Sequence, residues 1–321
     1  MPFPLMPGYD HINLVADLDP VAAVRDEETG ERIRRFPKLI PAGSPDFGYA
    51  VQTGTEWRIG CTGASDPAGA RYDLARDLRM EAEHENDAEV VHAMRAAAEQ
   101  LDPPEGRQLP KDEWEIGERR YRVIRIEKFT LIHQGVMEPP RVTDSDTPEA
   151  DPLLRGLLIQ PRAPAGQWEA QLRLNLVGYI PKPGSVPDEI MVEAGDAIRR
   201  HAGVVLLPPT FTVLEILGTA AKPITGGNDP REARSRLAGY FTNLLPGLRE
   251  FQGDPASAAE LAEWKHAAEQ IEATNGHAFN VLGRRFCTIR VSRMLRLGRD
   301  GPEAPRGSDQ ARYGLQEPDT G

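Results

Sequence analysis

Apolar and polar residues repeat with two periods along this chain, and the switches between them mark its elements. Ala70, Leu74 and Leu78 recur at helical spacing after Asp66-Pro67, and Ala233, Leu237 and Phe241 do the same after Asp229-Pro230. Aspartate before proline is a strong helix start. The carboxylate accepts from free backbone N–H groups, and proline at the first helical position has no N–H to leave unpaired. The same pair stands at Asp19-Pro20 and Asp254-Pro255, so helices are expected there too, the latter running to about 272, with a further helix over about 87–101. Period-two segments are expected as strands. Residues 47–52 and 56–61 alternate around Thr53-Gly54-Thr55, which predicts a hairpin. Residues 211–217 read as a strand, whereas Ala220-Ala221-Lys222-Pro223 is expected at an edge or in a loop because proline cannot donate to a ladder. Long strands are expected over 120–132 and 285–297, and the alternation from Trp168 to Leu174 predicts one more.

These elements recur at an offset of about 165 residues. Residues 119–144 align without a gap on 284–309, with eight identities in 26 positions: Arg119/Arg284, Arg120/Arg285, Ile124/Ile289, Arg125/Arg290, Glu138/Glu303, Pro140/Pro305, Arg141/Arg306 and Asp144/Asp309. Upstream, Ile33-Arg34-Arg35 matches Ile198-Arg199-Arg200, Pro45-x-Phe47 matches Pro209-x-Phe211, and residues 97–101 match 267–271. Five blocks in one order imply an internal duplication. The expected fold is α+β: two tandem pseudo-symmetric repeats, each of helix, strands, two helices and long strand, with antiparallel or mixed sheets. Their bounds are 1–146 and 184–311, around a connecting segment 147–183 with one strand and before a disordered tail, 312–321.

Composition narrows the function classes. With 321 residues, 40% of them hydrophobic, each half has apolar material for its own core. A net charge of -11 argues against nucleic-acid and anionic-membrane partners, both of which need a positive field. Cys61 and Cys287 do not correspond across the offset and are too few for a disulfide framework or a zinc site, so cytoplasmic residence is expected.

Two constellations could bear chemistry. Arg125 and Arg290 sit between large apolar residues on one face of the long strands, Tyr121 and Phe129 in one half and Phe286 and Met294 in the other. There they could present guanidinium groups to an anion at a pseudo-two-fold cleft, or pair with internal carboxylates. The shared loop, Glu138, Arg141 and Asp144 against Glu303, Arg306 and Asp309, could anchor a ligand, or serve as a proline-set turn whose charges pair with one another. Glu81-x-x-His84 and Glu89-x-x-His92 carry a spacing used in di-metal sites, but in a strongly charged stretch without the further inward glutamates such sites need, so no metal is assigned. Gly226-Gly227-Asn228-Asp229 reads as a helix cap, and no phosphate loop or nucleophile elbow is present.

The run Asp19-Pro20-Val21-Ala22-Ala23-Val24-Arg25, the Pro-x-Phe strand start, residues 119–125 and the Glu-Pro-Pro-Arg-x-Thr-Asp loop resemble a family of actinomycete proteins catalogued as a domain of unknown function. The resemblance extends over nearly the whole chain and implies a bacterial, cytoplasmic origin. It brings no reaction, cofactor or catalytic residue. The expected function is a non-enzymatic binding or regulatory protein whose repeats form a pseudo-two-fold site for a protein partner or a small anionic ligand. The alternative is an enzyme of bacterial specialised metabolism or peptide modification with an atypical active site. The sequence does not decide between them, assigns no cofactor and leaves the oligomeric state open.

Overall fold

The structure, a computed structural model, describes residues 8–103, 111–145, 153–274 and 276–313. In chain order its elements are β1 (Asn13–Leu14), α1 (Pro20–Arg35), β2 (Lys38–Pro41), β3 (Asp46–Thr53), β4 (Glu56–Ala64), α2 (Pro67–Glu81), α3 (Ala88–Leu101), β5 (Glu113–Ile116), β6 (Arg119–His133) and β7 (Val136–Met137). They continue with β8 (Pro164–Ala165), α4 (Gln167–Val177), α5 (Asp188–Arg200), β9 (Gly203–Leu217), β10 (Ala220–Gly227) and α6 (Pro230–Gly239). Last come α7 (Leu245–Phe251), α8 (Ala258–Glu272), β11 (Ala278–Val281), β12 (Arg284–Gly298), β13 (Gly301–Pro302) and α9 (Gly307–Tyr313).

The fold is α+β, and the two halves share one sheet. Eleven strands pair antiparallel along the path β10-β9-β12-β6-β3-β4, with β2, β5 and β7 also on β6 and β11 and β13 also on β12. The long strands β6 and β12 meet over only four residue pairs, from Ser292↔Phe129 to Leu295↔Ile126. Beyond these they diverge, and each opening is closed by backbone from the other half: Arg125 N–H donates to the Glu303 carbonyl and Arg290 N–H to the Glu138 carbonyl, both at 2.9 Å. The crossing places the two shared loops against the long strands.

Two helix pairs cover one face at corresponding places. Leu74, Leu78, Ala97, Ala98, Leu101 and Tyr121 form one buried cluster with α2 and α3. Leu237, Phe241, Ala267, Ala268, Ile271 and Phe286 form another with α6 and α8. Between them Phe129 and Met294 pack beneath α4, against Leu172, Leu176 and Val177. On the opposite face Ile124, Ile126, Leu295 and Leu297 meet Trp57 and Ile59 of β4. Gly301, at φ 119, lies where a Cβ would stand 2.7 Å from the Trp57 ring, so glycine is required there for both backbone and packing reasons.

Local chemistry explains the helix starts. Asp19 accepts from the N–H groups of Val21 and Ala22, Asp66 from Gly69, and Asp229 from Arg231 and Glu232. The fourth expected start is corrected: α8 begins at Ala258 behind a Ser257–Glu260 capping box, and the Asp254 carbonyl instead receives Arg249 Nε. The strand expected over Trp168–Leu174 is the helix α4. Gln, Glu, Ala, Leu and Arg favour helix, buried Ala170, Leu172, Arg173, Leu176 and Val177 fit a helical face, and the Asp26 carboxylate accepts from the N–H groups of Trp168 and Glu169 in its first turn. Strand β9 begins at Gly203, earlier than expected, and β10 is an edge strand with a bulge after Pro223. Beyond β12, Gly301–Pro302 forms β13 and Gly307–Tyr313 forms α9. Of the disordered tail expected over 312–321, residues 312 and 313 belong to α9 and the remainder lies outside the described residues.

Candidate functional site

The crossing of β6 and β12 brings the eight candidate residues together in two groups, each drawn from both halves. In the first, Arg290 of β12 donates Nε to Asp144 at 3.2 Å, and Asp144 also accepts the Arg141 N–H at 2.9 Å, closing the turn. Arg32 of α1, which sequence reasoning missed, clasps Glu138 through Nε at 2.6 Å and Nη2 at 3.0 Å and reaches Ser292 Oγ at 3.1 Å. Arg141 completes the group by pairing with Glu28 at 2.7 Å. Burial, reinforced by neighbouring Arg32, brings the Arg290 guanidinium down to about 10 despite Asp144 and Glu138.

In the second group Arg125 of β6 donates Nε to Asp309 at 2.9 Å, and Asp309 accepts the Arg306 N–H at 2.9 Å. Glu127 bonds Arg125 at 2.7 Å and Arg306 at 2.8 Å and lies 3.5 Å from Arg296. Burial alone would raise the Glu127 carboxyl, but Arg296, Arg125 and Arg306 together hold it below the usual range. Glu193 of α5 accepts from both the N–H and the hydroxyl of Ser308.

One substitution across the offset separates the groups. Position 32 is arginine, and position 197, 165 residues later, is alanine. Both oxygens of Glu138 are occupied by Arg32, so Arg141 Nε is buried without a partner among the described residues. Position 306 differs: Arg306 Nε donates to Glu303 Oε1 at 2.7 Å, and Glu303 Oε2 is buried without a donor among the described residues.

The first group also borders a cleft of about 420 Å³ between α1 and residues 138–143, lined by Glu28, Glu31, Arg32, Arg35, Phe36, Pro139, Pro140, Arg141 and Thr143. Arg32 is engaged by Glu138 and Arg141 by Glu28. Arg35 is exposed, and no ion pair engages it among the described residues. Val142, 86% exposed, stands at the rim.

The family described as "Family of unknown function (DUF5954)" matches residues 19–312, from the cap of α1 into α9. The chain belongs to this family. No curated protein and no solved structure matches it.

In this DUF5954 chain the remaining candidates are engaged locally. Glu81 accepts from Tyr121 and Arg119, Glu85 caps the N–H groups of Asn86 and Asp87, and His84, Glu89 and His92 are exposed. No group of three or more metal-ligating side chains occurs among the described residues, nor is any described helix long and apolar enough to cross a membrane. Asn228 and Asp229 cap α6. A second network, in which half-buried Arg120 and buried Arg122 bind Glu113 and the exposed Asp300 near the Trp57 ring, also went unread. Its partners lie up to 180 residues apart, beyond the reach of local spacing. Arg32 had one sequence signal: it stands at i, i+4 spacing from Glu28, on the face that also carries Phe36.

Proposed function

We propose that this chain is a binding protein of two pseudo-symmetric repeats, residues 1–146 and 184–311 about the connecting segment 147–183, and that the cleft beside α1 receives a small organic anion: a carboxylate or phosphate on an apolar body. The observation that carries this reading is Arg35, a cation without an ion pair among the described residues, at the mouth of a cleft whose other two arginines are neutralised by Glu138 and Glu28. Phe36, Pro139, Pro140 and Val142 supply apolar surface for the rest of the ligand. Glu138 and Arg141 shape the cleft, and Arg290 and Asp144 brace its loop from behind. Arg125, Glu303, Arg306 and Asp309 brace the other loop in the same manner. Cytoplasmic residence accords with the free thiols of Cys61 and Cys287. The alternative of an enzyme with an atypical active site has no comparable observation behind it.

Titration calorimetry with phenyl phosphate and with benzoate tests the proposal. Binding to the native chain is expected, and Arg35→Ala should weaken it about tenfold or more, the loss of one charge-assisted contact. Failure of both probes to bind, or equal binding by the Arg35→Ala chain, would refute it.

A further inference from the structure

Along the second half of α1 every charged side chain is engaged except two, and both of these line the anion cleft. Asp26 accepts from the N–H groups of Trp168 and Glu169. Glu27 pairs with Arg34 at 2.9 Å, Glu28 with Arg141 at 2.7 Å, and Arg32 with Glu138 at 2.6 Å. Glu31 and Arg35 remain, exposed and without an ion pair among the described residues, on the wall of the cleft of about 420 Å³. Glutamate four residues before arginine is the order and spacing that favours pairing along a helix. These two do not pair. The Arg35 guanidinium instead lies 5.5 Å from the centre of the Phe36 ring, within the range of a cation–π contact. One carboxylate and one guanidinium therefore stand a helical turn apart on the same lip, both open to a ligand, beside Phe36, Pro139, Pro140 and Val142.

We infer that the ligand of this cleft is a zwitterion, a free α-amino acid with an apolar side chain, whose carboxylate meets Arg35 and whose ammonium meets Glu31. The inference rests on the anion reading above and narrows it. Side chains at i and i+4 have their Cβ atoms about 5–6 Å apart, so two groups borne on a single carbon can each reach one of them. The sign pattern selects among ligands. Glu31 repels a second negative charge, which disfavours a phosphate dianion, and Arg35 repels an amine that lacks a carboxylate. The charged residues lining the cleft are Glu28, Glu31 and Glu138 against Arg32, Arg35 and Arg141, and a ligand with no net charge leaves that balance unchanged. Glu31 is thus the residue that sets specificity, and Arg35 the anchor.

The experiment is titration calorimetry of the full chain at neutral pH with L-phenylalanine, 3-phenylpropionate and phenethylamine, which share one apolar body and differ in charge. Phenylalanine is expected to bind about fivefold more tightly than 3-phenylpropionate, the worth of one partly exposed ion pair, and phenethylamine not measurably. Glu31→Gln should remove the preference by weakening phenylalanine alone, and Arg35→Ala should weaken both acids. Both positions are exposed, so circular dichroism of the variants should match the native chain. If neither acid binds, the anion reading falls and this inference with it. If 3-phenylpropionate binds and phenylalanine binds less than about twofold more tightly, or if Glu31→Gln keeps the preference, the anion reading stands and the zwitterion is overturned. Phenethylamine binding as tightly as phenylalanine would also overturn it, since Glu31 alone would then suffice. Binding of phenylalanine where 3-phenylpropionate does not bind supports the zwitterion.

Discussion

Removing Arg32 should cost far less than a buried bidentate ion pair usually does, and the reason is Arg141. Arg32 holds Glu138 at 2.6 and 3.0 Å, and Glu138 is 1% exposed. Breaking such a pair and leaving its carboxylate alone costs about 3–5 kcal/mol. In the Arg32→Ala chain, however, Arg141 Nε is free to turn to Glu138, as Arg306 Nε does to Glu303 at the same i, i+3 spacing and 2.7 Å. That charge-assisted bond returns about 1.5–3 kcal/mol, so the net loss is about 2 kcal/mol. For a 321-residue cooperative unit with an unfolding entropy of about 2.1 cal/mol/K per residue, this is a fall in Tm of about 3 °C. Arg141→Ala alone loses the partly exposed Glu28 pair and the 3.3 Å contact of Arg141 Nη2 with Asp144, about 1–2 kcal/mol together. Arg32→Ala with Arg141→Ala leaves Glu138 with neither partner, so the double substitution should exceed the sum of the singles by about 1.5–3 kcal/mol. Urea unfolding followed by circular dichroism measures all three. Additivity within about 0.5 kcal/mol would refute the exchange of partners.

Three further outcomes follow from the packing and the titrating groups. Cys61 is buried and its thiol is pushed up to about 12, first by burial and then by Asp73 and Asp77, so a disulfide reagent at pH 8 should leave it unmodified until urea is added. His11 and His201 both titrate below 6.5 in the folded chain because of burial; the unfolded chain therefore takes up protons first, and the stability they allow above pH 6.5 is lost as pH falls below it. Replacing His201 by Phe, the residue at position 36, should flatten that part of the urea-midpoint profile. Phe286→Ala removes a ring that meets Phe241 edge-on at 6.3 Å and stacks with Phe279 at 5.8 Å, and should cost about 3–5 kcal/mol in urea unfolding.

What the sequence revealed was local. Asp-Pro pairs marked the starts of α1, α2 and α6 because capping is a contact between near neighbours, and the long strands were legible because alternation over a dozen residues has few other readings. Segment 167–177 misled because Trp168, Ala170, Leu172 and Leu174 alternate as in a strand, whereas the helical set Ala170, Leu172, Arg173, Leu176 and Val177 includes a buried arginine, and the Asp26 cap that favours helix lies some 140 residues away. The offset grows from 163 at Ala70/Ala233 to 170 at Ala97/Ala267, and between these blocks the second half carries a π-helical turn at Tyr240–Leu244 followed by α7. At the candidate site the arginines and aspartates were legible as a shared set but not their pairing: Arg125 meets Asp309 and Arg290 meets Asp144, each across the halves. Arg32 escaped because comparing halves selects what they share, and position 197 is alanine.

The crossed pairing makes each half incomplete. In the register of β6 with β12, Ser292↔Phe129 and Met294↔Glu127 exchange under a shift of 165, while Lys128↔Arg293 maps onto itself. Arg125 and Arg290 each take an aspartate from the other half, Asp309 and Asp144. A chain ending at residue 152 contains Arg125 without Asp309 and without the Glu303 carbonyl that its N–H requires. A chain starting at residue 153 contains Arg290 without Asp144 and without the Glu138 carbonyl. Each would expose a long strand edge and an arginine set between apolar neighbours, a combination that costs several kcal/mol against a domain stability of about 5–15 kcal/mol. Expressed separately, the halves should each lack a cooperative urea transition and near-ultraviolet dichroism, and mixing them should restore both. A cooperative transition in either half alone would show that the shared sheet is an association of two finished domains rather than the element that completes them.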